Sequence, residues 1–149
     1  MTKAEIQLVR ALADKRGRTE HGLFVAEGEK LIGELRGSHL KVRKIFALEG
    51  VFAGPEVETV APRDMERLSL LKTAANSLAI VETPRYGLDM RSLAGRLTLA
   101  LDDVQNPGNL GTMLRTGEGA GVSGIIMSRD TVDLYLSLIH ISEPTRHLR

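Results

Sequence analysis

Two spacings of apolar residues alternate along the first 84 positions of the chain. Ile6, Val9, Leu12 and Ala13 recur at helical intervals, which predicts an amphipathic helix over residues 3–15 that the following "GRTEHG" breaks. "LFVAEG" (Leu23 to Gly28) is an apolar run of strand type. It leads into a second helical pattern, with Leu31, Ile32 and Leu35 on one face and Gly37 at its end. "VRKIFAL" predicts the next strand, and "EVETVAP" (Glu56 to Pro62) a third. A helix from Asp64 to Leu71 should follow, turning Met65, Leu68 and Leu71 inward, and "SLAIVETP" closes the series as a fourth strand. Strands alternating with helices in this way define a small α/β domain over residues 1–84, its sheet covered by helices.

"RYGLDMRSLAG", with Pro84 before it and two glycines inside, breaks the pattern and predicts a linker over residues 85–96. A second domain is expected from Leu97. "RLTLALDDV" has the continuous apolar character of a parallel strand buried on both faces, and "SGIIMS" (Ser123 to Ser128) reads as its successor. Between them, Asn106-Pro107 pairs a helix-capping residue with proline at the first helical position, and Asn109 is an alternative cap one turn later. Leu110, Met113, Leu114 and Gly117 then repeat as a core face, and Gly121 stands where a helix hands over to a strand. Helical side chains lean toward the N-terminus, so Arg115 is expected to reach over Gly111 toward the loop carrying Asn106 and Asn109. That would bring one guanidinium and two amides to the C-terminal end of a parallel strand, where open α/β sheets bind ligands. An arginine leaning toward the positive end of a helix needs an anion, and Asp102 and Asp103 are the candidates within the chain. Spacing alone leaves this reading and a plain solvated arginine equally open.

Composition removes several chemistries. At 149 residues, 42% hydrophobic and 26% charged, the chain has an ordinary globular balance. No run approaches the roughly 18–20 apolar residues of a membrane span, and "MTKAEIQLVRALADKRG" lacks a signal-peptide core. A cytoplasmic protein with no membrane partner is expected. The chain has no cysteine, and His21, His39, His140 and His147 show no ligand spacing, so no metal site is expected. There is no G-x-x-x-x-G-K-[ST], and "GEGAG" (Gly117 to Gly121) ends a helix where a dinucleotide fingerprint would open one. The net charge of +1 hides an asymmetry, for residues 1–44 hold 10 Lys and Arg against 6 Asp and Glu. Lys41, Arg43 and Lys44 are the candidate contacts to an RNA phosphate backbone, with a solvated surface as the alternative. With two tyrosines, three phenylalanines and no tryptophan, stacking of bases on an aromatic sheet is not indicated.

The stretch "LDDVQNPGNLGTMLRTGEGAGVSGIIMS" resembles the first signature motif of the SpoU/TrmH-type RNA ribose methyltransferases, the trefoil-knot SPOUT class. That motif runs strand, N-P-x-N-x-G-x-x-x-R, glycine, strand, and Asn106, Pro107, Asn109, Gly111 and Arg115 all fit it. "FVAEGEKLIGEL" followed by "VRKIFAL" resembles the small N-terminal substrate-binding domain of many such enzymes, itself similar to a ribosomal-protein-like α/β fold. The resemblance, from Leu23 to Tyr135, implies such a domain followed by the first half of a SPOUT α/β methyltransferase domain. It implies methyl transfer from S-adenosylmethionine to a ribose 2′-hydroxyl of ribosomal or transfer RNA, with Arg115 as the catalytic arginine and Asn109 helping to form the site. Full-length members are expected to be homodimers. Neutralising a guanidinium at pH 7 would cost roughly 7–9 kcal/mol, so a charged clamp on the substrate phosphate is favoured over a base. Glu118, also on the helix exterior, reads as a solvated residue.

Beyond "DTVDLY" the resemblance stops. The chain continues "LSLIHISEPTRHLR", which matches none of the later family motifs that make the knot and the cofactor pocket. The expected organisation is therefore a substrate-binding domain (1–84), a linker (85–96), a partial methyltransferase domain (97–135) and an aberrant tail (136–149). The family's cofactor-binding residues are not identifiable, and the fragment is expected to be inactive. A non-catalytic RNA-binding module is the alternative.

Overall fold

Thr2 and Glu5 cap each other, the Thr2 hydroxyl accepting the Glu5 N–H at 3.2 Å and the Glu5 carboxylate accepting the Thr2 N–H at 2.7 Å. Helix α1 (Lys3–Ala11) starts there in the computed structural model, which describes residues 1–85, 90–128 and 130–135. The helix expected to reach residue 15 stops at Ala11, and "GRTEH" lies within a second helix, α2 (Lys15–His21). Three contacts made only in the fold account for the difference. The Asp14 carboxylate accepts the Gly17 N–H at 2.8 Å and so opens α2. Arg18, 4% exposed, donates to the carbonyls of Leu12 at 2.8 Å and Ala13 at 2.9 Å, covering acceptors that the end of α1 leaves unpaired. Gly17 lies so close to the Ala11 carbonyl that a β-carbon there would overlap it.

The chain then runs through β1 (Leu23–Glu27), α3 (Glu29–Arg36), β2 (Val42–Ala47), β3 (Val57–Thr59), α4 (Pro62–Leu68) and β4 (Ser77–Glu82). The sheet order is β1-β4-β2-β3, with β4 antiparallel to both neighbours and β3 parallel to β2. Side chains alternate across it. Leu23, Val25, Phe46, Leu78 and Ile80 meet Val9 and Leu12 of α1 and Met65 and Leu68 of α4 in one core. Phe24, Ala26, Ala79 and Val81, all fully buried, take the opposite face, and α3 lies against β1 and β4. The helix expected from Asp64 begins at Pro62, whose missing N–H is no loss in a first turn, and ends at Leu68. It ends because Ser69 turns extended and donates its hydroxyl to Glu27 at 2.6 Å, which leaves Leu71 half-buried outside the helix. Glu27 is fully buried and also accepts the Leu70 N–H at 2.7 Å. Lys44 ties this side together by pairing with Glu5 of α1 and, at 2.6 Å, with Glu58 of β3.

The described residues divide after Pro84 into two compact units. The second contains α5 (Met90–Leu93), a short helix inside the expected linker, then β5 (Thr98–Leu101), α6 (Pro107–Gly119) and β6 (Gly124–Met127). β5 and β6 are parallel, with Thr98 opposite Gly124 and Leu101 opposite Met127. The expectation that β5 is buried on both faces is not met, because only Leu101 is buried in this two-stranded sheet. Likewise α6 buries Leu110, Gly111 and Gly117, while Met113, expected in the core, is 40% exposed. The end of α6 follows the glycine rule: Gly121, at φ 77°, donates to the Glu118 carbonyl at 3.0 Å and Val122 to that of Gly117 at 2.9 Å. The expected tail over residues 136–149 lies outside the described residues.

Two glycines in helices should respond oppositely to alanine. Gly17→Ala forces α1 and α2 apart and should cost about 1–3 kcal/mol. Gly33, exposed in α3 with open space around it, has no such constraint, and Gly33→Ala should add about 0.5–1 kcal/mol. Urea midpoints at unchanged slope give both values, and two shifts of the same sign would refute the contrast. A second expectation concerns acid. The Lys44 hydrogen bond holds the Glu5 carboxyl below its ordinary value of 4.5. Glu5 therefore adds stability that is present above that value and is lost as pH falls through its lower folded value. The stability gap between wild type and Glu5→Gln should narrow on acidification; a gap independent of pH would count against the pair.

Candidate functional site

The site is built on the loops that follow β5 and β6. After Leu101 the backbone turns through Asp103, whose φ of 51° is the left-handed conformation that aspartate accepts more readily than most residues. That turn is tied to the neighbouring loop. The Asp103 N–H donates to the Ser128 hydroxyl at 3.0 Å, and the Gln105 amide donates at 2.6 Å both to the Asp103 carboxylate and to the Asp130 carbonyl. The Val132 N–H reaches the Val104 carbonyl at 2.7 Å. Thr131, 5% exposed, lies beneath, its hydroxyl 3.0 Å from that of Ser128. The loop is thus fixed at its base before the helix begins.

Asn106 starts α6. Its side-chain oxygen accepts the Asn109 N–H at 3.0 Å, which resolves the choice between the two candidate caps. A β-carbon on Gly108 would stand 3.1 Å from that oxygen, so glycine keeps the cap uncrowded. Asn109 is exposed in the first turn. Arg115 is exposed two turns into the helix and makes no hydrogen bond or ion pair among the described residues. Neither Asp102 nor Asp103 is the partner anticipated for it, since the Asp103 carboxylate is held by Gln105. α6 therefore carries an exposed guanidinium, unpaired among the described residues, and, six residues earlier, the exposed Asn109 amide, with Asn106 engaged in the cap. Gln105, Ser128 and Thr131 were not anticipated as parts of the site. Their roles depend on pairing between strands about 25 residues apart, and no local spacing announces that.

The cations expected to meet RNA have internal partners. Lys41 and Arg43 approach the same Glu82 oxygen at 3.2 and 3.4 Å, so two positive charges share one carboxylate. Lys44 is held between Glu5 and Glu58. Arg43 and Lys44 also line a shallow hollow of about 360 Å³ with Glu56 and Glu58, a mixed-sign surface poorly suited to a polyanion. Among the described residues no helix is long and apolar enough to cross a membrane, and no cluster of His, Asp and Glu could hold a metal ion.

Comparison with known proteins gives these elements a family. Residues 3–87 match the model of the MRM3-like substrate binding domain. The chain is 31% identical over 134 residues to the 23S rRNA (guanosine(2553)-2′-O)-methyltransferase RlmP of Bacillus subtilis, covering 83% of this chain and 51% of that protein. Among solved structures, a TrmH-family protein from Porphyromonas gingivalis superimposes with a TM-score of 0.84 at 26% identity, over 95% of this chain and 58% of that one. An AdoMet-bound rRNA methyltransferase from Sinorhizobium meliloti gives 0.78 at 30% identity, over 95% and 59%. The chain thus spans little more than half the length of these relatives. With a substrate-binding domain followed by the strand, capped helix and strand that carry the Asn-Pro-x-Asn motif, it belongs to the SpoU/TrmH-type RNA methyltransferase family.

Proposed function

We propose that this protein serves S-adenosylmethionine-dependent methylation of ribosomal or transfer RNA at a ribose 2′-hydroxyl. In this reading the unit before residue 85 holds RNA, and Arg115 with Asn109 orients the target nucleotide. The observation that carries the proposal is Arg115 itself. It is a guanidinium without a partner among the described residues, on a helix whose N-terminal loop is fixed by Gln105 and Ser128. A free planar fork on a rigid support suits a phosphate and holds the adjoining ribose in one orientation without surrendering a proton. Lys41 and Arg43, which share one carboxylate, are at most a secondary contact to the backbone, while Lys44 serves chiefly to join α1 to the sheet.

The described residues do not by themselves form a holder for S-adenosylmethionine. The only buried polar side chain around the loop, Thr131, is already hydrogen-bonded, and Asp102, Asp103 and Asn109 are exposed with nothing described to enclose an adenosine. This chain's residues bind and orient RNA. The same observation favours the second reading, a non-catalytic RNA-binding module, in which labelled methyl groups never enter RNA.

The test uses a chain extended to the length of its relatives, supplied with labelled S-adenosylmethionine and ribosomal RNA. Incorporation should be resistant to base hydrolysis, as a 2′-O-methyl group is. Arg115→Lys keeps the charge and loses the fork, so the rate should fall by at least about 100-fold with folding unchanged. A lysine variant near the wild-type rate would end the clamp proposal, and absence of label from RNA with the wild-type protein would favour the binding module.

A further inference from the structure

The cations in the strand region are largely balanced, yet the amino-terminal third of the chain is basic. The remaining charge lies elsewhere. Helices α1 and α4 pack side by side on one face of the sheet, and two contacts orient them in parallel. Near their beginnings the Met1 ammonium pairs with Glu58, just before α4, and near their ends the Arg10 guanidinium donates to the Arg67 carbonyl at 2.9 Å. On α1, Lys3 and Arg10 are seven residues apart and fall on one exposed stripe. Its one carboxylate, Glu5, is turned away to Lys44. On α4, Arg63 and Arg67 are four apart and also exposed. Lys3 and Arg63 make no ion pair among the described residues, and Arg67 meets only its neighbour Asp64, at 3.5 Å. Glu66 is the other acid on this face.

We infer that the outward face of the α1/α4 pair is the principal RNA-contacting surface of this unit, and that it takes the phosphate backbone of a helical segment of RNA. This rests on the proposed role of the protein in RNA methylation. Four cations stand in two parallel rows, about 10 Å long on α1 and 6 Å on α4, on helices about 8–10 Å apart. Such a two-row array meets two runs of phosphates. No aromatic side chain lies on either helix, so nothing there would stack on splayed bases, and a duplex read by its backbone is the partner that fits.

The experiment measures binding of a fluorescein-labelled RNA hairpin to the 149-residue chain over a series of salt concentrations. Lys3→Ala combined with Arg63→Ala removes two exposed cations that make no ion pair among the described residues, so the fold should be unaffected. Affinity should drop at least about tenfold, and the slope of log affinity against log salt should fall by about 2. Lys30→Ala removes one charge from α3 on the other side of the sheet and should leave affinity and slope nearly unchanged. If wild type binds the hairpin and the double variant binds equally well, this face is not the RNA surface, while the proposed function stands. Failure of the wild-type chain to bind at low salt would overturn both this inference and the RNA-holding role assigned above. Equal affinity for a DNA duplex of the same sequence would make the face a general polyanion surface and overturn its assignment to RNA.

Discussion

Strand β4 is the constraint on which the substrate-binding unit depends. It is the last strand of that unit in sequence and sits second in the sheet, antiparallel to β1 on one side and to β2 on the other. β1 and β2 have no ladder with each other, so their facing N–H and C=O groups are unsatisfied until residues 77–82 insert between them. Five of the six β4 residues are buried, as is all of β1. The helical layers follow from this sheet, since Val9, Leu12, Met65 and Leu68 find their core only on the face that Leu78 and Ile80 complete. Glu27 marks the same dependence at the end of β1. Its carboxylate is buried because the chain returning from α4 brings the Ser69 hydroxyl and the Leu70 N–H to receive it.

What could be read along the chain was whatever is decided within a few residues. Asn106-Pro107 started a helix where its capping chemistry said it should, and Gly121 ended it with a left-handed turn. The strands over Leu23–Glu27, Val42–Ala47 and Ser77–Glu82 were legible as apolar runs between breakers. Helix α2 was not, because one of its residues usually weakens helices and another does not mark a buried face. Gly17 lowers propensity, and Arg18 offers a charge where a core residue would be expected. Both make sense only against the end of α1, where glycine permits the approach and the guanidinium covers the exposed carbonyls. Met113 failed in the other direction: its spacing marks a core face, but a two-stranded sheet covers only part of that stripe.

Charge shows the same division. The excess of basic residues before position 45 is a property of the sequence, but the surface field depends on which acids fold against them. Lys41, Arg43 and Lys44 lie within four consecutive positions and all meet carboxylates, from Glu5, Glu58 and Glu82, that stand far from them in the chain. A local cluster of cations is thus partly neutralised by tertiary partners, and a dispersed set on two helices is left exposed.

Arg115 is the converse case, and its isolation is the more informative for it. An exposed arginine on an ordinary helix surface commonly finds a carboxylate three or four residues away, and α6 has acidic residues on either side of its sequence. Glu118 is three residues on, and Asp103 lies in the preceding loop, yet neither pairs with it. Gln105 engages the Asp103 carboxylate and fixes the left-handed turn, so the same contacts that make the loop rigid also keep that carboxylate occupied. Rigidity and availability thus arise together. A ligand phosphate meeting that guanidinium would displace no partner among the described residues and order few additional groups, which lowers the free-energy cost of forming a bidentate contact.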